Sequence, residues 1–442
     1  MSQNTGTPEP VDAAFGSLAV SRASRGKVLS WAMWDWGTQP FATVITTFVF
    51  SVYLTSSAFG TENQTSYALG WATGIAGFLI ALLAPVLGQG TDRSGKRMLH
   101  LRWQTWALAA VSASLWFVRP EPSYLILGLV LLGVGNVVAE IANVNYYASI
   151  DQVATPATVG RVSGLGWGLG YLGGITILLL IVALRGSDFT ADDVRFAMLL
   201  CGAWTFVFTI PIFLALKDAP VAEPVPRRTI VASYRDLFAS LRRIYRQSPH
   251  TIYFLIASAL FRDGLAGVFT FGGVLAQGTF GFSFGEVIIF GIAANVAAGV
   301  STMAFGLLDD KVGPKRVIVF SLCALVVTGL AVFVLHDQGK IVFWVLGLAL
   351  TLFVGPAQSA SRSFLARAIP AGKSGEIFGL YATTGRAVSF FSPMAFLAAI
   401  WIGSQITGSD QTQYFGILGV VLVLAAGLLA MIPVKQAGHD FS

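Results

Sequence analysis

Twelve apolar stretches, each about the twenty residues needed to cross a bilayer and separated by short polar breaks, leave this chain one class of fold. They run 29–56, 68–90, 98–118, 123–147, 160–184, 195–216, 251–277, 284–308, 315–335, 341–366, 376–401 and 412–433. Lipid offers no partner to a backbone N–H or C=O, so stretches of this length must satisfy their own backbone as helices. Residues are 55% hydrophobic and 11% charged, too little polar surface to clothe a water-soluble globule. The fold class expected is an all-α polytopic membrane protein.

The formal net charge of +6 does not point to nucleic acid, because the basic residues are spread over short loops and not gathered on one face. Their distribution sets orientation instead. Most of the 28 Lys and Arg residues fall in the terminal tails and in the loops after even-numbered stretches. Only Arg119, Arg185, Arg195 and Lys340 fall on the other side, and Arg262, Arg362 and Arg386 lie inside stretches. The positive-inside rule then places both termini in the cytoplasm. The polar first residues contain no short apolar core with a cleavage site, so the first span is expected to act as its own insertion signal. Cys201 and Cys323 read as buried small hydrophobes.

Two short loops divide the chain into similar halves. Residues 88–97 read GQGTDRSGKR, and residues 306–316 read GLLDDKVGPKR. Gly88, Asp92, Arg93, Gly95, Lys96 and Arg97 in the first thus correspond to Gly306, Asp310, Lys311, Gly313, Lys315 and Arg316 in the second. A further echo pairs GRVSGL at Gly160 with GEIFGL at Gly375. Glycine permits a tight turn and close helix approach, and Asp92 near a span end can accept from a neighbouring helix N-terminus or from an arginine of its own loop. These twelve positions are candidate gating groups; the competing reading is that the basic ones only hold topology. The expected organisation is a tail (1–28), a six-helix bundle (29–216), a linker (217–250), a second six-helix bundle (251–433) and a tail (434–442). The linker opens Pro-rich and continues as YRDLFASLRRIYRQ, with Leu237, Leu241, Ile244 and Tyr245 on one face. That pattern predicts an amphipathic helix on the membrane surface, joining the halves without fixing them rigidly.

Charged and amide side chains inside spans are costly and mark function or interhelix locks. Asp35 stands between Trp34 and Trp36 with Gln39 one turn on; it either faces a cavity or lies shallow beside an interfacial tryptophan belt. Asn136, Glu140, Asn143 and Tyr147 form one helical stripe, for solute or for packing. Arg262 and Asp263 are adjacent and too divergent on a helix to pair with each other. Gln358 and Arg362 share a face near Pro356, which breaks the backbone hydrogen-bond pattern, and Arg386 has Thr383 and Ser389 beside it. Buried arginines call for carboxylates, which Asp35, Glu140 and Asp263 supply, whether as solute sites or as structural locks. Two glycine ladders, Gly160/Gly164/Gly168 and Gly166/Gly170/Gly174, permit close helix packing. No H-E-x-x-H, phosphate loop, Cys/His cluster or nucleophile–base pair is present, so neither enzyme, cofactor nor metal is expected.

The paired GxxxDRxGKR-type loops resemble those of the major facilitator superfamily. WDWGTQPFATVI, FRDG and the run GPAQSASRSFLARAIP to GEIFGLYATTGRAVSF are similar to its vacuole-effluxer branch, named for autophagy-related amino-acid exporters. The resemblance implies twelve transmembrane helices in two pseudo-symmetric six-helix bundles, with a central cavity lined by the first, fourth, seventh and tenth spans. Where that branch shows Ala-Asn-Ser after Trp-Asp-Trp, this chain has Gly37, Thr38 and Gln39, a difference in solute if those positions touch it. The expected function is secondary active transport of a small polar solute, amino acid or related metabolite, by efflux or proton coupling. The protein would act as a monomer in the inner (plasma) membrane, with lipid, solute and protons as its partners. The alternative is a non-transporting sensor or scaffold on the same frame. Candidate solute or ion groups are Asp35, Gln39, Glu140, Asn143, Arg262, Asp263, Gln358, Arg362 and Arg386.

Overall fold

The computed structural model of the chain describes residues 23–186, 189–218, 230–247, 249–369, 373–409 and 411–435. The expected tails and the Pro-rich start of the linker therefore lie largely outside the described residues. Helices follow one another as α1 (Arg25–Pro40), α2 (Phe50–Leu54), α3 (Glu62–Ser94), α4 (Arg97–Ser114), α5 (Leu125–Ala148), α6 (Val159–Arg185) and α7 (Ala191–Ala215). After them come α8 (Ile230–Gln247), α9 (Pro249–Gly278), α10 (Phe284–Val312), α11 (Pro314–Val334), α12 (Lys340–Ala368), α13 (Ser374–Val388), α14 (Phe391–Thr407) and α15 (Gly416–Met431).

Among the described residues ten segments are long and apolar enough to cross a membrane, against the twelve expected. The two that fall short have physical reasons. In 29–56, a π-helical stretch (Phe41–Phe48) follows Pro40, and the Thr46 and Thr47 hydroxyls donate to carbonyls five residues back. In 98–118, the 18-residue α4 carries His100, Arg102 and Gln104, which dilute its apolarity. The stretch 376–401 is likewise two helices, α13 and α14, joined across Ser389–Phe390. Pro356 sits buried inside α12, which continues through it. Large apolar side chains such as Trp71, Ile126, Leu214 and Ile341 stand exposed around the outside, as a surface bathed in lipid tails requires. Cys201 is buried as expected, but Cys323 belongs to that exposed surface.

Within the first half of the chain, α1 packs on α6 and α7, α3 on α5, and α4 on α5 and α7. Within the second, α9 packs on α13 and α15, α10 and α11 on α12, and α14 on α15. Between them, α6 meets α10 and α12, while α13 meets α3 and α5. The glycine ladders explain the close approach. A Cβ on Gly164 or Gly168 would strike backbone of α10 at 2.7 or 2.8 Å, and one on Gly166 or Gly174 would strike Asp35 or Gln39 of α1 at 2.6 or 2.8 Å. One ladder of α6 thus faces the other half and the second faces α1.

Both charged loops lie at one end of the bundle, here termed the motif end. Gly95, at φ 64°, closes α3 and lets α4 start after Lys96; Gly313, at φ 87°, does the same between α10 and α11. At that end α8 packs against α3 and α9, with Leu237 and Ile244 buried and Leu241 half-buried. Tyr245, expected on the same face, is 52% exposed. The helix is not a loose connector: its Asp236 takes Arg93 at 2.9 Å, its Tyr234 hydroxyl donates to the Leu82 carbonyl, and its Ser240 accepts from Lys373 at 3.4 Å. At the opposite end of the bundle, Gly70, Gly74 and Gly77 of α3 and Gly291 of α10 face open space.

Candidate functional site

The contacts between the halves form layers that begin at the motif end. Asp92, near the last turn of α3, accepts from the Gly375 and Glu376 N–H groups, each at 2.9 Å. These are orphan donors at the start of α13, and a carboxylate there meets both the free N–H groups and the positive end of the helix. Arg97 pairs with the same carboxylate at 2.8 Å, reaches Asp151 at 3.3 Å, and donates to the Ala148 carbonyl at 2.7 Å. Glycine is required at this crossing, since a Cβ on Gly88 would lie 2.1 Å from the Gly375 carbonyl oxygen. Both donors expected for Asp92, a helix N-terminus and an arginine of its own loop, are present.

The second copy repeats the capture of a helix start but not its counter-ion. Asp310 of α10 accepts from Gly160 N–H at 2.8 Å and Arg161 N–H at 3.3 Å, at the first turn of α6. Arg316, the counterpart of Arg97, is exposed, and the cations come instead from Arg161 of α6, 2.9 Å from Asp310, and from Arg367 at the end of α12, 2.6 Å from Asp309 and 3.2 Å from Asp310. Ser363 also donates to Asp309. Lys315 reaches the Ile432 carbonyl at 2.8 Å, Lys96 and Lys311 are exposed, and Arg93 pairs with α8 rather than with Asp92. The charged motif positions therefore divide into Asp92, Arg97, Asp310 and Lys315, which bridge helices, Arg93, which holds α8, and Lys96, Lys311 and Arg316, which bridge nothing among the described residues.

One layer deeper, Arg362 of α12 enters the first half of the chain. Its guanidinium is 3.4 Å from Asp35 of α1, donates to the Ser163 hydroxyl at 2.9 Å and carbonyl at 2.7 Å, and is buried. The rings of Trp31, Tyr146, Tyr147 and Trp167 surround it with centroids 5.0 to 5.8 Å away. Tyr146 donates to Asp35 at 2.8 Å and is itself stacked between Trp31 and Trp34. Asp35 is therefore a half-buried, paired group and not a shallow one; Trp34 beside it is a core residue, and Trp36 is half-buried and stacked on Trp204.

Beyond this layer the polar side chains are less completely paired. Arg386 of α13 stands 3.3 Å from Glu140 of α5, and the two side chains are 37% and 18% exposed. Arg262 does not find the expected carboxylate; it lies 3.7 Å over the Tyr381 ring and donates to the Tyr381 carbonyl at 2.9 Å. Asp263, its neighbour, accepts from Ser392 N–H at 2.6 Å, at the start of α14. Gln39 bonds Thr43 at 3.4 Å along its own helix, and Asn136 caps the Leu132 carbonyl of its own turn at 3.0 Å. Asn143 and Gln358 are half-buried, and their amides make no hydrogen bond among the described residues. Sequence reasoning missed Tyr146, Ser163, Asp309 and Arg367. Asp309 and Arg367 were visible as charges in span ends, whereas a serine and a tyrosine carry no such signal.

Residues 151–442 match the model of a family described as vacuole effluxer Atg22 like. Over 424 residues, 93% of this chain and 96% of the relative, the sequence is 26% identical to an uncharacterized MFS-type transporter, YxiO, of Bacillus subtilis (strain 168). It is 26% identical over 314 residues to autophagy-related protein 22 of Coccidioides immitis (strain RS), covering 63% of this chain and 49% of that protein. The chain thus spans about half the length of that fungal relative. In fold it is similar to the major facilitator superfamily proton:xylose symporter XylE, with a TM-score of 0.70, 12% identity, and coverage of 92% of this chain and 94% of that one.

Proposed function

This chain belongs to the Atg22-like vacuole effluxer family of major facilitator transporters, and we propose that it is a secondary active transporter moving a small polar solute by alternating access. In this reading the segments 29–56 and 98–118 cross the membrane despite their interruptions, giving two six-helix bundles (29–216 and 251–433). Amphipathic linkage through 217–250 joins them, and tails occupy 1–28 and 434–442. The motif end is cytoplasmic, the membrane is the inner (plasma) membrane, and the described state is closed to the cytoplasm and open outward. Asp92 with Arg97, and Asp310 with Arg367, are its gate locks.

The observation that carries the reading is the change in pairing with depth. At the motif end Asp92 and Asp310 each accept backbone N–H groups of the other half and are paired with arginines, whereas Asn143, Gln358, Arg262 and Arg386 keep unused hydrogen-bonding capacity further in. Arg262 and Arg386 would take an anionic group of the solute, Glu140 and Asp263 a cationic group or proton, and Gln39, Asn143 and Gln358 its hydrogen bonds. Arg362 and Asp35 form the pair whose opening accompanies the switch, with Asp35 the proton site if transport is proton-coupled. An amino acid is the first solute to try. The test is flux into proteoliposomes with amino acids, dipeptides and sugars, with and without an imposed pH gradient, followed by neutral isosteres at each position. A solute that moves, and that Arg386→Gln and Glu140→Gln slow, supports the reading. No flux and no ligand-induced stabilisation across the panel would overturn it.

A further inference from the structure

The helix α8 has three faces, and one of them meets no partner among the described residues. At about 100° per residue, Ser233, Leu237, Ser240, Leu241 and Ile244 share an arc turned into the protein. Asp236, at the edge of that arc, is held by Arg93. Arg235, Arg242, Arg243 and Arg246 occupy the opposite arc, all exposed, and none forms an ion pair or hydrogen bond among the described residues. Along the border between the arcs stand Phe238 and Tyr245, 67% and 52% exposed.

We propose that this basic and aromatic outer face of α8 is a docking surface for the anionic phospholipid headgroups of the bilayer. Charge complementarity selects the partner class, because guanidinium forks match phosphate oxygens two at a time and four of them here have no carboxylate. The aromatic border selects a bilayer over an acidic protein: an amphipathic ring flanking a basic arc is the arrangement of a helix lying in the headgroup region. Position agrees, since α8 leads into the membrane helix α9 across a single residue and so lies at the level where that helix enters the bilayer. The inference stands on the membrane fold and not on the transport reading, so failed flux leaves it untouched.

The test uses purified full-length protein titrated in detergent micelles with fluorescent phosphatidylglycerol or phosphatidylcholine. The expected result is a preference for phosphatidylglycerol that falls about fivefold for each of Arg235→Gln, Arg242→Gln, Arg243→Gln and Arg246→Gln as they accumulate. In 1 M salt, where screening acts within about 3 Å, the preference should vanish. None of these arginines is bonded to the protein, so the fourfold variant keeps its melting temperature. Phe238→Ser should weaken both lipids without changing their ratio. An unchanged preference in the fourfold variant overturns the proposal, as does preferential binding of polyglutamate without lipid selectivity, which would assign the face to an acidic protein.

Discussion

Replacing Asp92 by Asn removes one charge and turns one acceptor into a donor at the start of α13. In the parent, one carboxylate oxygen receives Gly375 N–H and Arg97, and the other receives Glu376 N–H, all within 2.9 Å. The asparagine oxygen can keep the first pair, but its NH2 group then faces the Glu376 N–H, donor against donor. One charge-assisted bond of roughly 1.5 to 3 kcal/mol is lost, with about 0.5 kcal/mol of helix-dipole interaction. Arg97 is not stranded, because Asp151 and the Ala148 carbonyl still hold it. The net cost to the closed motif end is about 2 to 3.5 kcal/mol, a shift of roughly 30- to 370-fold toward opening. Nitroxides on the exposed positions His100 of α4 and Lys311 of α10, in a background with Cys201 and Cys323 replaced by serine, would report it. The expected result is a second, longer distance population in Asp92→Asn. A single unchanged distance, with labelling of the motif end as slow as in the parent, would refute the gate assignment.

Arg367→Met leaves Asp309, 1% exposed, without its cation, and should cost about 3 to 5 kcal/mol; a lowered melting temperature, partly restored by adding Asp309→Asn, is the check. Gly88→Ala puts a Cβ 2.1 Å from the Gly375 carbonyl and should populate the same longer nitroxide distance, while Gly70→Ala, which meets nothing, should match the parent. Asp35→Asn weakens the pair with Arg362 but leaves that arginine on Ser163, so the protein should stay folded while solute flux falls by about tenfold, one charge-assisted bond of roughly 1.5 kcal/mol; flux equal to the parent would make the pair purely structural.

Amphipathic and span-level features were the most legible from sequence, because they depend on period and length. The repeated loop was legible too, down to Asp92 taking a helix start. Where reading along the chain failed, the partner was supplied by a distant helix. Arg316 was aligned with Arg97, yet the second copy draws its cations from Arg161 and Arg367, since the start of α6 and the end of α12 both reach Asp310. Arg262 was given a carboxylate by the rule that buried charges need counter-ions, but among the described residues a tyrosine ring and a backbone carbonyl serve it instead. Tyr245 was assigned to the buried face of α8 on helical periodicity, and the position of α9 left it outside.

The sequence alone determined that this is a helical membrane protein with paired charged loops and charges inside its spans, because hydropathy and the cost of a polar group in lipid act locally along the chain. Which of those charges meet was decided only in the tertiary structure. Asp35 and Arg362 stand far apart in the chain and are brought together by the packing of α12 on α6, a contact that two facing surfaces settle jointly and that neither helix encodes by itself. In the same way Asp92 and Asp310 find their partners only once the packing of α3 on α13 and of α10 on α6 presents free N–H groups to them.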